Sequence, residues 1–465
     1  MDFLHYKPTN GWFGDAMPLY CNGRYHIYYT KLNEKNKICW GHISSTDLVN
    51  YTEHPDPFSK SSRGTDFTGC VTFANDVFHA YYTGNAADGR HAMYHAESPD
   101  GELFMHTDDV CFFRPEEWYL SDRTFRDPHV FYDEDEKIYH MVYCVKGVPQ
   151  NKSEVAYPGV IGHAVSSDLK KWENLPPLKL GGIASTAECP ELFKYENRWA
   201  LIYYWHETRF RTADSLDAAW IRGDVISPDH FDFMAGRHMF DGERHILVGW
   251  IPRRDCDCAE RIWGGNMLIP RELFFKNGIT PATRFVREVK QMFGKKSEGF
   301  SPAEAILSHS GASATENGIA FNTDSVGAAA LWERLPDECY ICADVEMSDR
   351  NGTVIFILSS PETEKNAKDQ YENGYALIID PSEGLVRLRR HYVWDQRNDI
   401  AVIPFTPRLD QPFKVEIIRH GGIIEVGING EQTLVSRLLC DCGSSLSVCA
   451  HDTDAKIHSL EVYTR

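Results

Sequence analysis

Short aromatic and apolar segments recur along the first three-fifths of the chain, and each is five residues long, as expected of a buried β-strand. The segments begin at residues 25, 78, 139, 199 and 244, at intervals of 53, 61, 60 and 45 residues. These intervals are too long for single hairpins and match four-stranded sheets with their loops. The pattern predicts a five-bladed β-propeller whose repeated strands are Tyr25–Tyr29, Phe78–Tyr82, Tyr139–Tyr143, Trp199–Tyr203 and Arg244–Val248.

A second recurrent signal follows the repeated strand in two of the predicted blades. Cys39–Leu48 and Ile161–Leu169 each combine an apolar strand with a turn rich in Ser and Asp. An aromatic residue and a proline-containing turn come next in both. We interpret these segments as third and fourth strands, because each unit can bury its faces only against its neighbours.

The pattern changes after about residue 273. It predicts one helix, Arg284–Phe293, and a break at Gly299–Pro302 that we interpret as a linker. Alternating strands with polar turns follow and indicate a β-sandwich. The chain is therefore predicted to be all-β, with a propeller over residues 1–295 and a C-terminal sandwich over residues 300–465.

Three acidic residues lie at nearly the same distance before the repeated strand of their own blade. Asp15 precedes Tyr25 by ten residues, Asp127 precedes Tyr139 by twelve and Glu188 precedes Trp199 by eleven. If the repeated segment is the second strand of each blade, these carboxylates lie on or just before the first strand, which lines the channel of a propeller. We expect the three acids to converge on one axial pocket.

Composition narrows the class of partner. With 48 basic and 67 acidic residues, the formal net charge is −19, which argues against a nucleic acid or an anionic membrane. The aromatic content of 12% suits sheet pairing and sugar stacking, so a small neutral carbohydrate is the expected substrate. The first eight residues have no basic segment followed by an apolar run, and no stretch could span a bilayer, so a cytoplasmic location is expected.

Cysteine and histidine positions leave a metal site open but do not favour one. The 13 cysteines follow no regular framework, and Asp255–Cys258 and Cys440–Cys442 lack a matching second half. His26, His79 and His140 share the phase of the packed second strands, so we expect core or hydrogen-bonding roles for them. From these positions we do not predict a metal site.

Taken alone, each of the three acids could be a turn residue, and their common position relative to the repeated strand is what favours catalysis. The neighbours of each acid then suggest its role. Arg126 lies beside Asp127 and would hold it ionised. Glu188 is flanked by small and apolar residues, which would raise its pKa and suit it to proton donation. Asp15 follows glycine and aromatic residues that can expose it beside a sugar-stacking wall. Two carboxylates across a glycosidic bond are what a glycosidase needs.

Several motifs, in this order, resemble glycoside hydrolase family 32, the family of invertases, inulinases, levanases and related fructosyltransferases. They are Trp40–His42 with Ser45–Val49, Phe67–Gly69, Arg126–Pro128, Glu188–Pro190, Ile246–Trp250 and Gly265–Met267 with Pro270–Leu273. The resemblance implies a retaining double displacement on a β-fructofuranosyl group, with Asp15 as nucleophile, Glu188 as acid/base and Asp127 as transition-state stabiliser. It also implies that Trp40, Phe67, Thr68 and Arg126 shape the sugar pocket, without a metal or cofactor.

Trp12 and Trp263 are further candidates for sugar stacking, because both are aromatic residues near these motifs. The chain departs from the family pattern at Gly14–Pro18, where the family usually has Asn-Asp-Pro-Asn-Gly. Thr30 stands where a glutamine is usual, and Thr68 replaces the customary serine. Substrate contacts are therefore expected to differ from those of sucrose-cleaving relatives.

Three alternative functions remain open from the sequence, and so does the oligomeric state. An inverting pentosidase of the arabinofuranosidase and xylosidase type assembles three carboxylates on a propeller in a similar way. Transfer of fructose to another sugar depends on acceptor subsites. A carbohydrate-binding propeller without catalysis is the third alternative, and a homo-oligomer is compatible with every one of them.

Overall fold

A computed structural model describes most of the 465 residues. The described ranges are 4–60, 65–107, 118–120, 124–148, 159–180, 186–230, 232–254, 260–308, 311–322, 327–359, 374–390, 399–409, 411–438 and 443–465.

The chain forms two compact units. The first comprises Met1–Ser227, Phe233–Pro252 and Trp263–Ala282. The second comprises Pro228–Asp232, Arg253–Ile262 and Thr283–Arg465. The predicted domain limits, residues 1–295 and 300–465, stay a prediction.

Five antiparallel sheets make up the blades of the propeller. Blade I contains β1 (Ala16–Cys21), β2 (Arg24–Leu32), β3 (Ile38–Ser45) and β4 (Thr52–Glu53). Blade II contains β5 (Asp66–Ala74), β6 (Val77–Asn85), β7 (His91–Ser98) and β8 (Met105–His106). Blade III contains β9 (Arg126–Asp133), β10 (Ile138–Lys146), β11 (Gly159–Ser166) and β12 (Glu173–Leu178). Blade IV contains β13 (Glu188–Tyr195), β14 (Arg198–Trp205) and β15 (Glu207–Ala213). Blade V contains β16 (Met234–Phe240), β17 (His245–Arg254), β18 (Arg261–Met267), β19 (Arg271–Lys276) and β20 (Thr280–Phe285).

The first strands of the blades form a closed inner ring. β1 packs beside β5, β5 beside β9, β9 beside β13, β13 beside β16, and β16 beside β1. The segment before β1 also reaches blade V, because Phe13 and Gly265 of β18 exchange backbone hydrogen bonds of 3.0 and 2.8 Å. The ring therefore places Asp15, at the start of β1, next to the last blade.

The repeated aromatic segment is the second strand of each blade, as its pattern predicts, and in blades I and II a tyrosine within it accounts for part of the repetition. The hydroxyl of Tyr28 donates to Gly101 O at 2.7 Å, and that of Tyr81 donates to Leu169 O at 2.6 Å. Each acceptor lies in the Ser/Asp turn after the third strand of the next blade. A tyrosine at this position therefore ties one blade to the next.

Tight turns join the first and second strands. Asn22 and Gly23 have φ of 50° and 73°, and Asn75 and Asp76 have φ of 52° and 61°. Positive φ at both central residues is the signature of a type I′ hairpin, whose twist matches that of the paired strands. Asn, Asp and Gly are the residues that tolerate this backbone, so these turns are encoded locally.

The second unit contains two β-sheets with a shared apolar core. One sheet runs β23-β24-β35-β26-β31-β32-β33, with β21 added on β35, and the other runs β22-β25-β34-β27-β28-β29-β30. The core includes Ile341 and Val415 from the first sheet and Phe356 and Leu388 from the second. The helices and strands of this unit are α1 (Arg287–Met292), β21 (Lys295–Lys296), a 3-10 helix (Pro302–Glu304), β22 (Ile306–Leu307), β23 (Ala312–Ala314), β24 (Ile319–Phe321), β25 (Ala328–Trp332), β26 (Cys339–Met347), β27 (Thr353–Ser359), β28 (Gly374–Asp380), β29 (Leu385–Arg390), β30 (Asp399–Pro404), β31 (Phe413–His420), β32 (Ile423–Ile428), β33 (Gln432–Arg437), β34 (Ser445–His451) and β35 (Ala455–Thr464).

The predicted fold class, a five-bladed β-propeller followed by a β-sandwich, is confirmed. The predicted helix is shorter than expected, since α1 occupies only Arg287–Met292. Among the described residues, no helix combines the length and the apolar character needed to cross a bilayer.

Candidate active site

The inner strands of blades III, IV and V share a local distortion at the same end of the channel. Asp127, Cys189 and Ala235 have φ of 58°, 48° and 46°, and the pairing register shifts beside each of them. A left-handed backbone is unfavourable for residues with a side chain, and bulges of this kind re-aim neighbouring side chains. The distortion directs the first residues of these strands into the channel mouth.

A cavity of about 320 Å³ opens there and collects seven of the nine predicted site residues: Asp15, Phe67, Thr68, Arg126, Asp127, Glu188 and Trp263. Blades I to V all contribute to its lining. The in-phase acids of three blades therefore lie around one cavity.

Trp40 and Trp12 do not line this cavity. Trp40 is fully buried, and its Nε1 donates to Phe67 O at 2.9 Å, so it supports the wall from behind. Trp12 is half-buried and lies under the Lys7 ammonium, which is 4.0 Å from the ring centroid. Its Cβ is also close to Gly264.

The carboxylate of Asp15 accepts two hydrogen bonds from other blades. Thr68 Oγ1 of blade II donates to Oδ2 at 2.6 Å, and Trp250 Nε1 of blade V donates to Oδ1 at 3.0 Å. The backbone of Asp15 is held by Thr30, which accepts from its N–H at 2.8 Å and donates to its carbonyl at 3.1 Å. Both the backbone and the carboxylate of Asp15 are thereby oriented.

Arg126 connects the other two acids. Its Nη2 donates to Glu188 Oε1 at 2.5 Å, and its Nε lies 3.5 Å from Asp127 Oδ2. Asp127 is 5% exposed, and its Oδ2 also accepts from the backbone N–H of Cys189 at 3.1 Å. Charge-assisted hydrogen bonds of this type fix geometry as well as charge.

Burial and neighbouring charge raise the pKa of two of the acids. Burial raises the pKa of Asp15, and the negative charge of Asp127 adds to the effect, while the Thr68 and Trp250 donors oppose it. Burial and then Asp127 also raise the pKa of Glu188, and Arg126 opposes that shift. A raised pKa suits Glu188 to carry a proton, whereas Asp15 depends on its donors to remain ionised.

Gly14 makes room for the indole of Trp263. A Cβ at this position would lie 2.6 Å from Trp263 Cζ2 and 2.6 Å from Thr30 Oγ1. Trp263 in turn packs edge-on against Trp250, with ring centroids 6.0 Å apart. The departure from the family motif at Gly14 is therefore coupled to an aromatic wall beside Asp15.

Thr30, singled out in the sequence for an altered substrate contact, lines the cavity, whereas sequence reasoning missed several other lining residues: Ile38, His91, Cys189, Tyr204, Met234, Ala235 and Trp250. Trp250 ends the motif Ile246–Trp250, and Tyr204 directly follows the repeated strand of blade IV. Their proximity to these motifs was the available signal. Tyr204 donates to Met234 Sδ at 3.0 Å, which joins blades IV and V at the rim.

Histidine pairs recur in blades I, II and III, away from this cavity. Nδ1 of His26, His79 and His140 lies 3.1, 3.1 and 3.0 Å from Nε2 of the paired histidine on the third strand, namely His42, His95 and His163. The predicted hydrogen-bonding role of the three second-strand histidines is confirmed.

Within the described parts of the chain, two groups of residues outside the cavity have the donor atoms for a metal ion, namely His79, His95 and Glu97, and Asp133, Glu136 and His140. Blade I forms the same histidine pair with a serine, Ser44, where blade II has Glu97. The pair thus forms without a third ligand. The candidate metal motifs at residues 255–258 and 440–442 lie outside the described residues.

A family model decides the assignment of the chain. The model described as "Glycosyl hydrolases family 32 N-terminal domain" matches residues 5–282, which is more than half of the sequence. The chain belongs to glycoside hydrolase family 32. It is a glycoside hydrolase of the β-fructofuranosidase type, as the sequence motifs predict, and the pentosidase and non-catalytic alternatives are not favoured.

One curated relative and two solved structures match nearly the whole length of this family 32 chain. The sucrose-6-phosphate hydrolase of Vibrio alginolyticus is 25% identical, over 94% of this chain and 86% of its own. The solved sucrose-6-phosphate hydrolase from Lactobacillus gasseri superposes with a TM-score of 0.73 at 16% identity, over 100% of this chain and 93% of its own. An exo-inulinase from Aspergillus awamori gives a TM-score of 0.70 at 17% identity, over 100% and 98%. The two structural matches show the fold alone.

Proposed function

We propose that this family 32 chain hydrolyses β-fructofuranosyl bonds of small oligosaccharides by a retaining double displacement. Asp15 is the nucleophile, Glu188 the acid/base and Asp127 the stabiliser of the transition state. The observation that carries these roles is the convergence of the three acids on one cavity, with Arg126 joining two of them.

In the first step, a carboxylate oxygen of Asp15 attacks the anomeric carbon of the fructosyl group while Glu188 gives its proton to the leaving oxygen. The leaving group departs as an alcohol, and an ester bond joins fructose to Asp15. In the second step, Glu188 takes a proton from water, the resulting hydroxide attacks the same carbon, and Asp15 is released as a carboxylate. Net retention follows from the two inversions.

The remaining residues have supporting roles in this proposal. Asp127, beside Arg126, stabilises the positive charge that develops on the sugar ring. Phe67, Thr68 and Trp263 bound the fructosyl site, and Trp40 supports Phe67 from behind through its carbonyl. A contact between Trp12 and substrate stays a prediction.

The cavity favours a small and uncharged substrate. Its volume of about 320 Å³ is near the lower end of the range of ligand pockets, about 300–1,000 Å³. Among the described lining residues, Arg126 is the one Lys or Arg side chain, and it is engaged with Asp127 and Glu188. This distribution of charge supports a neutral fructoside over a sugar phosphate. A cytoplasmic location and a homo-oligomer stay predictions.

Carboxylate substitutions test the roles. We expect Asp15→Asn to lose activity on every fructoside by at least about 10³-fold, because no covalent intermediate can form. We expect Glu188→Gln to lose activity on sucrose and kestose but to retain more on a nitrophenyl fructoside, whose leaving group needs no proton. Glu97→Gln, on blade II outside the cavity, is the matched control.

Full turnover by Asp15→Asn or Glu188→Gln would contradict the assignment. The anomeric configuration of the first product, followed by NMR, separates retention from the inversion of a pentosidase-type mechanism. Product analysis with sucrose as both donor and acceptor separates hydrolysis from fructosyl transfer.

A further inference from the structure

A buried arginine of blade V reaches through the interior of the propeller. Arg237, on the inner strand β16, is 1% exposed, and its Nη1 donates to the carbonyl of Gly69 on β5. Blade I separates blades V and II in the ring, so this hydrogen bond joins strands that are not neighbours. The guanidinium therefore lies inside the ring, where it can act on the cavity from within the protein.

The acceptor of Arg237 belongs to the segment that holds Asp15. Gly69 follows Thr68, whose hydroxyl donates to Asp15 Oδ2 at 2.6 Å. The N–H of Gly69 donates to Met17 Sδ at 3.2 Å, two residues beyond Asp15 on β1. A Cβ at Gly69 would lie only 2.0 Å from the carbonyl oxygen of Tyr81, so this close approach requires glycine. Arg237 thus anchors the backbone that positions the Thr68 donor.

The charge of Arg237 is not neutralised by an ion pair with any described residue. Nε and Nη2 are both buried without a hydrogen-bond partner within the described part of the chain. Arg126 differs, because it contacts the carboxylates of Asp127 and Glu188. An unpaired buried cation is unfavourable for stability, so a role in the function of the nearby site would account for it. Its field favours the ionised form of Asp15.

We propose that Arg237 is a positioning residue of the nucleophile: it fixes the Gly69 carbonyl, and thereby the Thr68 hydroxyl that donates to Asp15, and its positive charge adds to the effect of that donor. This inference rests on the proposed role of Asp15. Arg237 does not line the cavity and touches no substrate in this arrangement. Its effect is exerted through Thr68 and through the electrostatic field.

The pH dependence of kcat/KM in Arg237 variants tests the proposal, with a nitrophenyl fructoside as substrate. In Arg237→Met we expect the acidic limb to move to higher pH, with kcat lowered by about tenfold or more and KM changed by less than about threefold. Arg237→Lys retains a positive charge, so we expect its acidic limb to stay near that of the wild type while kcat falls several-fold.

Arg271→Met is the matched control, because Arg271 is equally buried and donates through Nη1 to the carbonyl of Ile269 at 2.7 Å. We expect its acidic limb to coincide with that of the wild type. The proposal would be overturned if the acidic limb of the kcat/KM profile did not move in Arg237→Met, or if it moved equally in Arg271→Met. If Arg237→Met does not fold, an unchanged kcat in Arg237→Lys has the same consequence.

Asp15→Asn distinguishes failure of this inference from failure of the proposed function. An active Asp15→Asn removes the proposed function itself. An inactive Asp15→Asn combined with an unmoved limb in Arg237→Met removes only the role of Arg237.

Discussion

The histidine pair of blade III should make the propeller sensitive to mild acid. His163 is 5% exposed, and burial, followed by the neighbouring His140, lowers its pKa to about 3 from 6.5. Because the folded pKa lies below the unfolded value, the unfolded chain binds the proton more readily as the pH falls. The stabilisation by neutral His163 is thus present above pH 6.5 and is lost progressively as the pH falls towards 3.

The magnitude follows from the two pKa values. Between pH 7 and pH 5, a group whose pKa is about 3 when folded and about 6.5 when unfolded lowers the free energy of unfolding by about 1.9 kcal/mol. We expect His163→Gln to remove this dependence. The difference in unfolding free energy between wild type and variant should therefore shrink by about 1.9 kcal/mol between these pH values.

Urea titrations followed by tryptophan fluorescence measure this difference, since nine of the 11 tryptophans precede residue 300. His206→Asn is the control: His206 is exposed, and its φ of 64° suits asparagine. A difference that stays constant for His163→Gln, or that changes equally for His206→Asn, would refute the reasoning. The carboxylates with lowered pKa values do not interfere, because they titrate below this range.

Three further predictions concern the site and the ring. Thr68→Val removes a donor to ionised Asp15, so the acidic limb of kcat/KM should move to higher pH and activity below it should fall about tenfold; a limb that stays in place would count against this donor. Gly14→Asn should displace Trp263 and raise KM about tenfold or more, with a change in near-UV circular dichroism; wild-type KM with an altered spectrum would show that the indole does not contact substrate. Gly265→Ala would place a Cβ 1.8 Å from a backbone oxygen and should lower the unfolding free energy by about 3 kcal/mol, as measured by urea titration; unchanged stability would show that the bridge to Phe13 tolerates a side chain.

The parts of the structure that local chemistry determines were predictable from the sequence. The hydroxyl of Tyr28 bonds the next blade, so the position recurs as tyrosine in Tyr81 and is visible as a repeat. The phase of Asp15, Asp127 and Glu188 followed from the same repeat, because the chain length between first and second strands is nearly constant.

Contacts between distant segments were not predictable in this way. Trp250 reaches Asp15 across 235 positions of sequence, and Arg237 reaches Gly69 across 168. The position of each residue in the sequence does not reveal its contact partner, because that partner depends on how the blades close into a ring. The reason for a glycine at position 14 was likewise not predictable, because it depends on the indole of Trp263, which packs where a Cβ of residue 14 would lie.

The backbone bridge between Phe13 and Gly265 also bears on when hydrolysis can begin. During synthesis, Asp15 emerges from the ribosome about 250 residues before the strand that contains Gly265. Until that strand arrives, Asp15 lacks both the neighbouring bridge and the Trp250 donor. A nascent or truncated chain that ends before blade V would carry the nucleophile on an untethered segment, so glycoside cleavage should begin only once the final blade is complete.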